Sequence, residues 1–155
     1  MNDLGRSLEG LRVAVQGFGN VGSNAALLLE EQGCKVFAVA DVFGGILGRR
    51  GEPLPMRALA EHVRKTGSVI AFPGSEPISN EDLLELECDL LVPAALECVL
   101  HQENAPRVKA KLIAEAANLP TCVTVNRTAL IAGNRLATIE MTTTRAAQAR
   151  MPLIV

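Results

Sequence analysis

The sequence predicts an α/β fold, a doubly wound and mostly parallel sheet in a single three-layer domain. Three observations lead there. Val13-Ala14-Val15 is a short apolar run, residues 20–32 place apolar side chains at Val21, Ala25, Leu28 and Leu29, and Val36 to Ala40 is a second apolar run. The two runs read as buried strands, and the spacing between them is helical. A strand, a helix and a strand within about 30 residues make a βαβ unit, whose crossover sets the strands parallel.

The elements follow in order. Gly33 stands where the first helix needs a left-handed residue to stop, and Asp41 ends the second strand. Residues 42–54, rich in glycine and proline, read as a loop. A helix is expected from Pro55 to Lys65, with Leu59 and Val63 on one face and Gly67 at its end. Residues 72–77, Phe-Pro-Gly-Ser-Glu-Pro, read as an irregular connector. Ser79 followed by Asp82 is a capping pair that predicts a short helix over 80–87. Leu90-Leu91-Val92 predicts a third strand, stopped by Pro93, and Leu112-Ile113-Ala114 a fourth, with a short helix near 102–106 between them. Asn126 is placed to cap a helix to Ala132, Gly133 to end it, and Leu136 to Met141 to form a fifth strand.

Composition excludes several classes of function. A net charge of −2 over 155 residues offers no basic face for nucleic acid. With no Trp or Tyr, there is little for bases to stack on. The longest apolar stretch, Leu90 to Leu96, is too short to span a bilayer. The first residues lack the basic-then-apolar pattern of a secretory signal. Cys34, Cys88, Cys98 and Cys122 show no CxxC spacing, so neither a metal site nor a disulfide framework is expected. A cytoplasmic location follows as the default.

The motif that carries chemistry is Gly17-Phe18-Gly19-Asn20-Val21-Gly22, a G-x-G-x-x-G string directly after a strand and opening a helix. That context is the dinucleotide-binding fingerprint of a Rossmann-type fold. Gly17 permits the tight turn, Gly19 admits the diphosphate close to the backbone, and Gly22 lets the helix pack close. The helix start then presents N–H groups and partial positive charge to the phosphates. Asp41, nineteen residues after Gly22, is placed to accept from the adenosine ribose hydroxyls. A phosphate loop of the Walker type is excluded, because Gly22 is followed by Ser23-Asn24 with no lysine. The carboxylate of Asp41 disfavours a 2′-phosphate and favours NAD. Arg49 and Arg50 leave NADP open, if they fold back towards it.

At this point the residues resemble a family. Ser7-Leu8-Glu9-Gly10 leading into Val13–Gly22 is similar to the coenzyme domain of the glutamate dehydrogenases, within the glutamate/leucine/phenylalanine/valine dehydrogenase family. Phe72-Pro73-Gly74, Glu76 to Glu81, Pro93 to Glu97, Glu103 to Lys111 and Ala114 to Asn118 match in the same order, over about residues 4–121. The resemblance implies oxidative deamination of L-glutamate to 2-oxoglutarate and ammonia, with hydride passing to NAD or NADP. It implies coenzyme contacts at Gly17, Phe18, Gly19, Asn20, Val21, Gly22 and Asp41, at Ala94 and Ala95 past the third strand, and at Asn118 past the fourth.

Two departures shape the expectation. The family's N-terminal substrate domain is absent from these residues, with its catalytic lysine and aspartate, and Lys35, Lys65, Lys109 and Lys111 match none of its motif. No catalytic residue is therefore assigned. Residues 1–141 are expected to be the NAD(P)-binding domain and 142–155 a divergent tail, a truncation and a frame-shifted gene both remaining open. The expected function is that of the coenzyme-binding part of a glutamate dehydrogenase, inactive by itself. The alternative is a non-catalytic nucleotide-binding or regulatory subunit. Its expected partners are a second copy of itself or a full-length dehydrogenase.

Overall fold

The computed structural model describes residues 8–95, 100, 103–115 and 135–138. The chain runs β1 (Arg12–Gln16), α1 (Asn20–Glu31), β2 (Lys35–Asp41), β3 (Gly44–Gly48), a 3₁₀ turn (Arg49–Gly51) and α2 (Met56–Thr66). It continues through β4 (Ser75–Ile78), α3 (Asn80–Leu84), β5 (Leu90–Pro93), a 3₁₀ turn (Ala105–Arg107), β6 (Leu112–Glu115) and β7 (Arg135–Thr138). All seven strands join one sheet in the order β4-β3-β2-β1-β5-β6-β7. β2, β1, β5, β6 and β7 are parallel. β3 turns back against β2, and β4 runs antiparallel to β3.

Alternation along β1 decides the layers. Val13 and Val15 face a core shared with Ala25 and Ala26 of α1 and with Met56 and Leu59 of α2. Ala14 faces the opposite core, with Leu83 and Leu84 of α3, Leu100 and Ile113. A strand buried on both faces reads as a continuous apolar run, as it does here. One irregularity interrupts β2: Val13 pairs with Val36 but Ala14 with Ala38, so Phe37 is an extra residue in the ladder. The Arg12 guanidinium covers the Phe37 ring at 4.1 Å from its centre.

Two helix boundaries fall where expected. Gly67 closes α2 in the left-handed conformation at φ 82°, and Ser79 Oγ accepts from the Asp82 N–H at 3.0 Å. α3 stops at Leu84, however, and a 3₁₀ turn at Ala105–Arg107 replaces the helix expected near 102–106. Residues 42–54 and 72–77 are not simple connections, because they contain β3 and most of β4. Glycine hides the period of β3, yet Gly45 is needed there: a Cβ would lie 2.9 Å from Ile78 Cγ2 and 3.2 Å from Ala40 Cβ. Pro77 is tolerated in β4 because β4 is an edge strand. β7 begins one residue before the fifth strand expected at Leu136. The helix expected at 126–132, Gly133, residues 139–141 and the tail 142–155 lie outside the described residues.

Among the described residues, no helix is long and apolar enough to cross a membrane, and no cluster of three potential metal ligands occurs. Cys34 and Cys88 are free and buried, one in each core. Burial raises the Cys34 thiol, and burial beside Asp89 pushes Cys88 up to about 11. Both behave as small apolar side chains.

The amino ends of the central strands are tied by charge. Asp89, at the entrance to β5, accepts from the Lys111 ammonium at 2.7 Å and from the Arg12 N–H at 2.9 Å. These contacts, Lys111 first, hold its carboxyl below the usual carboxylate range. A carboxylate whose pKa falls on folding contributes stability above its unfolded value, and that contribution drains as pH drops through the folded value. The clamp therefore operates at neutral pH and is lost below about pH 4. Thermal melts between pH 7 and pH 3 are expected to show a shallower acid loss for Asp89→Asn than for the unaltered chain; parallel acid limbs would remove the clamp from the account.

Candidate functional site

The carboxyl end of β1 is the place where the chain changes direction across the sheet. It leaves β1 for β2 on one side, and the later β5 pairs on the other. Open α/β sheets bind ligands in the crevice formed at such a switch point. The loop that lines it is fixed on both sides: the Gly17 N–H donates to Ala40 O at 2.8 Å, and the Ala94 N–H to Gln16 O at 2.7 Å.

Each glycine of the loop has a different reason to be glycine. Gly17 sits at φ +101°, and a Cβ there would approach Ala95 Cβ to 2.7 Å and Ala95 N to 2.8 Å. Gly22 has no room at all, since its Cβ would lie 1.8 Å from the Gly17 carbonyl oxygen. Gly19 is the opposite case: nothing lies within 4 Å of its Cβ position. The protein's own packing therefore demands Gly17 and Gly22 but not Gly19. The open space at Gly19 is what a close-approaching diphosphate requires.

The helix that follows starts open. Gly19 is its N-cap, no side chain caps it, and its first turn carries no acidic residue. The Ser23 N–H is turned to Gly19 O at 2.9 Å, and the Ser23 hydroxyl donates to the same oxygen at 2.7 Å. The N–H groups of Asn20, Val21 and Gly22 precede the first intrahelical bond. The Phe18 side chain is buried among the α1 and α2 residues, so only its backbone faces the loop.

Asp41, at the tip of β2, is more occupied than the sequence suggested. Its Oδ1 accepts from the Phe43 N–H at 2.8 Å, and its Oδ2 from the Ser68 hydroxyl at 2.7 Å and the Val69 N–H at 2.8 Å. The Asn80 side-chain amide donates to its carbonyl at 3.0 Å. A carboxylate offers about four acceptor positions, so these bonds leave one for a ligand hydroxyl. Periodicity gave no sign of Ser68, Val69 or Asn80, because each acts through a contact distant in sequence.

Arg49 and Arg50 do not fold back towards this carboxylate. β3 runs antiparallel from Gly44, opposite Asp41, so its far end carries both arginines to the amino edge of the sheet. Gly51 lies there beside the Arg12 guanidinium. Next to Asp41 stand instead Val42 and Phe43, 76% and 72% exposed. Ala94 and Ala95 border the glycine loop, and Asn118 lies outside the described residues. His62, on α2, is turned to the Ile70 carbonyl at 3.0 Å and set edge-on to Phe72, contacts that tie the helix to the connection before β4.

With this geometry in view, comparison with known proteins is informative. Residues 1–132 match the model of the Glutamate/Leucine/Phenylalanine/Valine dehydrogenase family. The chain belongs to that family. It is 49% identical over 122 residues to the glutamate dehydrogenase of Thermotoga maritima, covering 78% of this chain and 29% of that one. It is 48% identical over 113 residues to the NADP-specific glutamate dehydrogenase of Saccharolobus shibatae, covering 73% of this chain and 26% of that protein. In structure it is similar to the hetero-hexameric glutamate dehydrogenase of Thermus thermophilus, with a TM-score of 0.74, 32% identity, and 85% and 30% of the two chains covered. The chain thus spans under a third of the length of these dehydrogenases.

The glycine geometry makes a direct prediction. Gly22→Ala is expected to destabilise the chain by about 1–3 kcal/mol, the usual cost of forcing atoms into a filled site. Urea unfolding measures it, and an unchanged midpoint would contradict the close helix–loop contact.

Proposed function

We propose that this chain binds NAD(H), as the coenzyme-binding part of an amino acid dehydrogenase that acts on L-glutamate. The observation that carries the reading is the open space at Gly19, set against an uncapped helix start and flanked by two glycines that packing requires. Backbone N–H groups of residues 19–22 hold the diphosphate there, aided by the partial positive charge of the α1 start. The remaining acceptor position of Asp41 takes a hydroxyl of the adenosine ribose. Ala94 and Ala95 form the wall of the groove towards β5, and Asn118 is proposed on the nicotinamide side. The bound nicotinamide supplies the carbon that accepts or gives the hydride.

The choice of NAD rests on what surrounds Asp41. A 2′-phosphate would meet a carboxylate and two exposed apolar side chains, Val42 and Phe43, while Arg49 and Arg50 stand at the opposite edge. Kinship does not decide this point, since one relative is named NADP-specific and another is named without a coenzyme. Glutamate as substrate rests on the two relatives near half identity. Hydride transfer needs the reacting atoms at roughly 3–3.5 Å in a shared, water-poor cleft. The 155 residues are proposed to supply one wall of it, so binding without turnover is expected of the purified chain.

Fluorescence titration tests this reading. NADH is expected to bind the chain, NADPH about tenfold or more weakly by the charge argument. Gly19→Val is expected to fold within about 1 kcal/mol of the unaltered chain, its position being extended and unobstructed, yet to lose NADH. Equal binding of NADH by both chains, or glutamate-dependent NADH production by the purified chain, would overturn the corresponding half of the proposal.

A further inference from the structure

Gln16 is the last residue of β1, and its side chain is 8% exposed. Its Oε1 is sealed from solvent and has no hydrogen-bond partner. The position asks for no polar group on packing grounds: the preceding residues, Val13, Ala14 and Val15, are all apolar and fully buried. Leaving a buried acceptor without a donor is costly, and native proteins do it rarely and for a reason. The location supplies one. Gln16 is paired with Ala40 on one side and with Pro93 on the other, directly before the glycine loop, at the floor of the crevice.

We infer that Gln16 is a coenzyme contact, accepting a hydrogen bond from a hydroxyl of the nicotinamide-side ribose; the inference rests on the dinucleotide reading above. The chemistry narrows the donor. An amide oxygen only accepts, and an ionised diphosphate has no proton to give. The donors of a dinucleotide are its ribose hydroxyls, its adenine amine and its carboxamide. Asp41 holds the adenosine end at the tip of β2, and Gln16 stands one strand nearer to β5, on the far side of that end. The sugar that follows the diphosphate along the dinucleotide is the first donor on that side, ahead of the carboxamide. The last side-chain torsion of glutamine is broad and nearly two-fold, so the amide can turn without a backbone change.

Gln16→Met, which keeps the volume and removes the amide, tests this with three ligands in calorimetric titration. NADH and ADP-ribose, which carry the second ribose, are expected to bind about fivefold or more weakly, and ADP, which lacks it, as it binds the unaltered chain. The ligand-free variant is expected to melt a few degrees higher, because the unsatisfied amide is gone. NADH binding unchanged in the variant, or NADH and ADP weakened alike, would overturn the contact while leaving the coenzyme reading intact. An unaltered chain that takes up none of the three ligands would overturn both.

Discussion

The loop after β1, the start of α1 and the exit of β5 meet so closely that side chains are excluded between them. Gly22 lies over the Gly17 carbonyl, and Gly17 lies against Ala95, each at distances no Cβ survives. The rest of the site depends on this contact. A loop stripped of side chains exposes its amides, and a helix drawn in so tightly begins with no cap of its own. The same contact joins the two halves of the sheet, because the N–H groups of Gly17 and Ala94 bond across to β2 and β1. Close packing and an open helix start are here two results of one constraint.

The two edges of the sheet differ in how their polar groups are satisfied. At the amino edge Asp89 gathers Arg12 and Lys111, while Arg12 also covers Phe37, so the entrances to β1, β5 and β6 are pinned together. At the carboxyl edge the polar groups are arranged differently. The helix start is open, and Gln16 keeps an oxygen without a donor. Such groups cost stability in the free protein and are expected where a ligand completes them. At Asp41, three of about four acceptor positions secure the Ser68–Val69 segment and the β2–β3 turn.

How much of this was legible in the sequence depended on the range of the interaction. β1, α1 and β2 follow from short-range periodicity and are found within a residue or two of expectation. Gly17, Gly19 and Gly22 were legible because a motif in its strand–helix context implies a geometry. β3 and β4 were not, because a glycine-rich strand and an edge strand containing proline carry no alternation. The locking of Asp41 by Ser68, 27 residues away, and the placing of Arg49 and Arg50 at the far edge both depend on the β2–β3 reversal. Once that hairpin went unread, the two arginines stood beside Asp41 in sequence but not in space. Gln16 carries no signal in the sequence for a different reason: a polar residue at the end of a strand is ordinary until its burial is known.

Amide resonances locate the bound diphosphate. In a ¹⁵N-labelled sample titrated with NADH, the largest shift changes are expected at the backbone N–H groups of Gly19, Asn20, Val21 and Gly22, with smaller ones at Asp41 and Ala95. Changes centred on the amino edge, around Arg12 and Asp89, or none anywhere at saturating coenzyme, would contradict that placement.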